Sequence, residues 1–102
     1  MTNNEIKILV VDDEPKIVET VKAYLENSNY KVLTAYDGEQ ALKIFEEENP
    51  SLVVLDLMLP KISGEIVCQT IRKKSRIPII MLTARSQEYE KITGFERDKS
   101  FN

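Results

Sequence analysis

Four short runs rich in aliphatic residues, separated by stretches with helical periodicity, constrain the fold of this 102-residue chain more than any other feature. The third and fourth runs lack the alternation of a strand with one face in water, so they are typical of strands covered on both faces. Strands that alternate with helices form a parallel sheet with right-handed crossovers. The sequence therefore predicts a single α/β domain, residues 1–102, with a doubly wound parallel sheet whose strands are Ile6–Val11, Tyr30–Ala35, Leu52–Leu55 and Ile77–Leu82.

Start and stop signals place a helix after each strand. Pro15 suits the first turn of a helix that ends near Asn27, and the second helix is ended by Asn49 and Pro50. Ser63 is the expected N-cap of the third helix, because its hydroxyl can accept a bond from the first turn. A fourth helix is predicted over Gln87–Gly94.

Composition excludes several classes of chemistry. The chain has no histidine and one cysteine, Cys68, which excludes zinc hydrolases, Ser-His or Cys-His catalysis and thiolate metal clusters. Acidic residues follow the first strand where a dinucleotide-binding site would need glycines. A net charge of −3 gives no reason to expect direct binding to nucleic acid. The apolar run behind the polar first residues is too short for a signal peptide or a membrane span, which predicts a cytoplasmic protein.

Chemically reactive side chains follow three of the predicted strands. Asp12 and Asp13 follow the first strand, Asp56 the third and Thr83 the fourth. The carboxyl ends of parallel strands share one edge of the sheet, where such folds place their ligands. Clustered carboxylates repel one another unless a cation joins them, and oxygen ligands without histidine or thiolate favour Mg²⁺.

A carboxylate beside Mg²⁺ can attack phosphorus and form an acyl phosphate. Each residue also has a purely structural interpretation. Asp56 can simply close a strand, and Asp12 with Asp13 can be a charge pair at a helix N-terminus. The joint pattern favours a site for phosphoryl transfer.

The chain resembles the receiver domain of bacterial two-component response regulators from Lys7 to Glu96. The motifs that carry the resemblance are Ile8–Glu14, Asp56–Pro60 with Gly64, and Pro78–Arg85. The resemblance implies a flavodoxin-like receiver fold and a phosphoacceptor signalling domain. Such a domain is not a conventional enzyme, because it catalyses only its own phosphorylation and dephosphorylation.

The resemblance also implies roles for individual residues. Asp56 is the implied phosphoacceptor, taking a phosphoryl group from a sensor histidine kinase. Asp13 and Asp56 bind Mg²⁺ by their carboxylates and Met58 by its backbone carbonyl, whereas Asp12 acts mainly through water.

Two further residues match the motif after the fourth strand. Thr83 supplies the hydroxyl that turns toward the phosphoryl oxygen, and Ala84 is the small residue that leaves access to it. The segment Met81–Arg85 looks most like regulators whose receiver precedes a winged-helix DNA-binding domain, which implies a transcriptional output.

The resemblance ends near Glu96. The family continues with a fifth strand and a fifth helix, whereas residues 97–102 form a divergent tail, so the implied receiver fold is truncated at the C-terminus. Without a fifth strand, Ile77–Leu82 becomes an edge of apolar residues whose backbone groups favour pairing with another chain. We therefore expect self-association through this exposed edge.

Two alternatives remain open from the sequence. One is a truncated receiver that no longer signals and acts as a self-associating protein-binding module. The other is an aspartyl-phosphate hydrolase with a similar sheet. An aspartyl-phosphate hydrolase would require an aspartate two residues after the nucleophile, where this chain has Met58.

Overall fold

The computed structural model describes residues 6–82. The predicted sites Thr83 and Ala84, the predicted helix Gln87–Gly94 and the divergent tail lie outside that range. The described elements alternate strictly between strand and helix: β1 Lys7–Val11, α1 Pro15–Asn27, β2 Lys31–Ala35, α2 Gly38–Glu48, β3 Leu52–Asp56, α3 Gly64–Arg72 and β4 Ile79–Leu82. No helix within this range is long and apolar enough to cross a membrane.

The four strands form one parallel sheet in the order β2-β1-β3-β4. The last residue of β1, Val11, is in register with Ala35 of β2 and Leu55 of β3. The carboxyl ends of these strands therefore finish at the same edge. The arrangement confirms the predicted doubly wound α/β fold.

The core has two layers because successive residues of each strand point to opposite faces of the sheet. On the face covered by α2 and α3, Leu9 and Val11 pack with Phe45, Leu55 and Ile71. On the other face, the buried residues are Ile8, Val10, Val18 and Val54. Each such side chain, fully buried, contributes about 1.5–3 kcal/mol to folding, so both layers stabilise the sheet.

Side-chain caps fix where α2 and α3 begin. Asp37 accepts a hydrogen bond at 2.8 Å from the N–H of Gln40, and the Gln40 side chain accepts one at 2.9 Å from the N–H of Tyr36. This reciprocal pair is a form of capping box. Ser63 Oγ accepts the N–H of Ile66 at 3.3 Å, which confirms Ser63 as the N-cap of α3.

The fourth strand begins two residues later than predicted. Pro78 has no N–H to donate, although its carbonyl accepts the Val53 N–H at 3.1 Å. The Ile77 N–H donates to Ser75 Oγ instead, so ladder pairing begins at Ile79.

The interpretation of this run as a strand covered on both faces is wrong for its central residues, whereas the prediction of an exposed edge at Ile77–Leu82 agrees with the structure. Ile80 is 50% exposed and Met81 is 37% exposed. The physical reason is position, because β4 pairs only with β3 among the described strands and lies at the edge of the sheet. Apolar run length alone does not distinguish an edge strand from a central one.

Candidate functional site

Asp12 directly follows β1 and is almost fully buried, at 1% exposure. Its backbone N–H donates to the Ala35 carbonyl at 3.2 Å, which continues the parallel pairing with β2. Its side-chain Oδ1 accepts the N–H of Glu14 at 2.9 Å. This bond to a backbone group two residues ahead is an Asx turn, which orients the carboxylate at the strand end.

Asp56 is the last residue of β3 and is also 1% exposed. Its Oδ1 accepts the N–H of Met58 at 3.1 Å, so the same two-residue geometry occurs at the end of a second strand. The Met58 side chain is exposed, whereas its backbone lies against Asp56. Met58 therefore contacts the site through its main chain. The role of its carbonyl as a Mg²⁺ ligand stays a prediction.

Asp13 completes a cluster with these two residues. One carboxylate oxygen from each of Asp12, Asp13 and Asp56 lies within 4.8 Å of the others. Asp13 Oδ1 is buried, and no hydrogen-bond donor within residues 6–82 reaches it. Burying a carboxylate oxygen without a partner is costly, and three carboxylates this close repel one another.

A divalent cation would satisfy the Asp13 oxygen and offset the repulsion. Three carboxylates are hard oxygen donors, which suits Mg²⁺ or Ca²⁺ better than zinc or copper. The residues present therefore fit a hard metal ion. The sequence predicted this convergence correctly, because Asp12, Asp13 and Asp56 all lie at the carboxyl edge of the sheet.

The seven residues 57–63, here named the β3–α3 loop, connect the buried Asp56 to α3. The carbonyl of Leu57 accepts the N–H of Gly64 at 3.1 Å, which closes the loop at its base. The side chain of Leu59 is buried in the core. The loop is thus fixed at its base and by one apolar side chain.

A tight turn lies within this loop at Lys61, which has a φ of 67°. The N–H of Ile62 donates to the Pro60 carbonyl at 2.7 Å, two residues back, so Lys61 is the central residue of a γ-turn. A positive φ is uncommon for a residue with a side chain. The γ-turn gave no sequence signal, since neither glycine nor asparagine occupies its centre.

Gly64 is a structural part of the site, although the sequence marked it only as a motif residue. A Cβ at this position would lie 2.4 Å from the Asp56 carbonyl oxygen and 2.8 Å from the Leu57 Cα. Only glycine allows the first turn of α3 to approach the backbone of Asp56 this closely. The first turn of helix α3 therefore packs directly on the backbone of Asp56.

Residues 8–99 match the protein family described as the response regulator receiver domain. The chain is 54% identical over 96 residues to the probable transcriptional regulator ycf27 of Cyanophora paradoxa, covering 94% of this chain and 40% of that protein. It is 54% identical over 91 residues to the alkaline phosphatase synthesis transcriptional regulatory protein PhoP of Bacillus subtilis, covering 88% of this chain and 38% of that protein. The chain thus spans about two fifths of the length of these curated relatives.

One solved structure is similar to the chain in both fold and sequence. The response regulator protein TrrA from Thermotoga maritima, in complex with Mg(2+)-BeF, gives a TM-score of 0.75 at 45% identity. The match covers 95% of this chain and 89% of that one.

Proposed function

The chain belongs to the response regulator receiver domain family, and we propose that it accepts a phosphoryl group on Asp56 from a sensor histidine kinase. The observation that carries this proposal is the convergence of Asp12, Asp13 and Asp56 within 4.8 Å at one edge of the sheet. Of the three, Asp56 lies at the end of a central strand and is held by the adjacent loop.

In the proposed reaction, a carboxylate oxygen of Asp56 attacks the phosphorus of a phosphohistidine. The P–N bond breaks, its electron pair returns to the imidazole nitrogen, and an acyl phosphate forms on Asp56. The Met58 N–H holds the Asp56 carboxylate in one orientation through its bond to Oδ1. Such positioning lowers the entropic part of the barrier, because the nucleophile is already aligned.

We propose Mg²⁺ as the metal, held by the carboxylates of Asp13 and Asp56 and the backbone carbonyl of Met58, with Asp12 acting mainly through water. When bound, Mg²⁺ would neutralise charge on the phosphoryl oxygens. The orphaned Asp13 Oδ1 supports this assignment from the structure. The similarity to TrrA, solved in complex with Mg(2+)-BeF, supports it from comparison.

The remaining assignments follow from membership of the family. We propose that the Thr83 hydroxyl contacts the phosphoryl group and that the small side chain of Ala84 leaves access to it. We propose that the domain catalyses only its own phosphorylation and dephosphorylation, and that it regulates transcription, as the names of its relatives suggest. A kinase that uses ATP requires its acceptor in the same compartment, so we propose a cytoplasmic location.

The direct test is phosphorylation of the intact chain by acetyl phosphate in the presence of Mg²⁺. Mass spectrometry should show one added phosphoryl group that is labile to hydroxylamine. The Asp56→Asn variant should lose it, whereas Asp37→Asn, an equivalent change at the α2 N-cap, should retain it. A phosphoryl group on Asp56→Asn would refute the assignment.

A second candidate function is self-association through the β4 edge, in which the domain acts as a protein-binding module and does not signal. It is favoured by the exposure of Ile80 and Met81 on a strand with one neighbour among the described strands. The occupant would be a second copy of this chain, paired edge to edge. Absence of phosphate on the parent chain, together with concentration-dependent light scattering, would favour this candidate. A monomer across the concentration series would refute the self-association.

A further inference from the structure

Gly38 is the first residue of α2 and packs against the β3–α3 loop. A Cβ at Gly38 would lie 2.8 Å from both the Cβ and the carbonyl oxygen of Ile62, and 2.9 Å from Cγ2 of Val67. Real Cβ atoms essentially never come within 3.0 Å of such neighbours. No described glycine has a positive φ, so the requirement at Gly38 is for space.

The atoms that Gly38 approaches are not free to move aside. Ile62 donates its N–H to Pro60 within the γ-turn and precedes Ser63, the N-cap of α3. Two of the three close contacts involve the Ile62 backbone or Cβ, neither of which a change of rotamer can withdraw. The third contact, with Val67, involves a side-chain methyl group.

The α2 side of this contact is also fixed. The reciprocal bonds among Tyr36, Asp37 and Gln40 hold the helix start in place. Phe45 and Ala41 anchor the same helix in the core. A methyl group added at residue 38 would therefore displace the loop at Ile62 as well as the helix.

We infer that Gly38 is a positioning residue for the carboxylate site, and that it acts through Ile62 and the β3–α3 loop on Met58. The absence of a Cβ lets Ile62 seat against the start of α2. That contact fixes the loop at a third point, besides its base at Gly64 and the buried Leu59. The same loop carries Met58, whose N–H sets the orientation of Asp56.

This inference rests on the proposed function, since the site must bind Mg²⁺ for the positioning to affect affinity. The test is an NMR titration of the full chain with Mg²⁺, following the amides of Asp13 and Met58. Gly38→Ala should raise the Mg²⁺ dissociation constant about tenfold, the low end for loss of a contact that supports a metal ligand. The Met58 amide should also shift and exchange faster before any metal is added.

Two controls separate positioning from loss of stability. Lys43→Ala changes an exposed residue on the same helix, and Ile8→Val removes a buried methylene at the far end of β1. Both should leave the dissociation constant and the metal-free Met58 amide unchanged, although Ile8→Val lowers the unfolding temperature. An equal rise in the dissociation constant for Ile8→Val would overturn the inference, as would parental affinity in Gly38→Ala.

A double variant identifies the contact responsible. Val67→Ala removes one of the three clashes, so Gly38→Ala with Val67→Ala should keep the raised dissociation constant because the Ile62 contacts remain. Restored affinity would assign the effect to Val67 and overturn the route through the loop. If Gly38→Ala does not fold, Ile62→Gly removes the Cβ that seats against Gly38, and parental affinity in that variant would overturn the inference.

The outcomes for the two proposals are distinct. A parent chain that binds no Mg²⁺ at Asp13 and Met58 contradicts the proposed function. In that case the chemical shift and exchange rate of the Met58 amide without metal still test the positioning role. If Gly38→Ala leaves both unchanged, this inference is contradicted.

Discussion

Replacing Gly64 with alanine places a methyl group where the backbone of β3 already lies. The added Cβ would be 2.4 Å from the Asp56 carbonyl oxygen and 3.1 Å from its carbonyl carbon. Neither atom belongs to a flexible side chain, so α3 and the strand end must separate. The Gly64 N–H bond to the Leu57 carbonyl, at 3.1 Å, opposes that separation.

The magnitude follows from two opposing effects. Bringing the shortest contact up to 3.0 Å needs a shift of about 0.6 Å, and forced overpacking of this kind costs about 1–3 kcal/mol. Alanine recovers up to about 1 kcal/mol of helix propensity, and less at the first helical position. With a recovery of about 0.5 kcal/mol at this position, the expected net loss in the free energy of unfolding is about 0.5–2.5 kcal/mol, or about 2–12 °C in Tm for a domain of this size.

Thermal unfolding of Gly64→Ala should show this loss while the native state remains populated, because domains of this kind are stable by about 5–15 kcal/mol. Gln69→Ala, an exposed change on the same helix, is the matched control and should leave Tm nearly unchanged. The displaced Asp56 backbone should also weaken Mg²⁺ binding in Gly64→Ala. A Tm equal to or above that of the parent would refute the steric argument.

Two more changes test other parts of the fold and site. Asp13→Asn should weaken Mg²⁺ binding, measured by titration. Without metal it should raise the free energy of unfolding by about 1 kcal/mol, because it removes one of three clustered like charges. A lower free energy of unfolding without metal would contradict the repulsion argument. Asp37→Ala should cost about 1 kcal/mol in urea unfolding because it removes the α2 N-cap, and Asp37→Asn should retain most of that stability; equal losses in both variants would contradict the capping role.

The site residues could be predicted from the sequence because their positions follow from strand order alone. Asp12 and Asp56 each end an aliphatic run, and parallel strands place such ends at one edge. The N-cap at Ser63 and the helix start at Pro15 followed equally from local chemistry, since capping depends on residues within one turn.

Close packing between a helix and a loop away from the strand ends could not be predicted in this way. The approach of Gly38 to Ile62 joins segments 24 positions apart in the sequence, and nothing near either residue encodes the distance. Gly64 carried a motif signal, but only the packed structure shows that its missing Cβ makes room for the Asp56 carbonyl.

The sequence by itself determined the types and order of the elements within residues 6–82, because periodicity and strand ends are local properties. Parallel strand pairing then brings the three carboxylates to one edge. The sequence also indicated an exposed edge at Ile77–Leu82, but only the tertiary structure shows that Ile80 and Met81 are the exposed residues, since burial depends on which strand lies alongside. The tertiary structure also decided the γ-turn at Lys61, where the loop closed at Gly64 and held by Leu59 imposes a backbone conformation that lysine rarely adopts by itself.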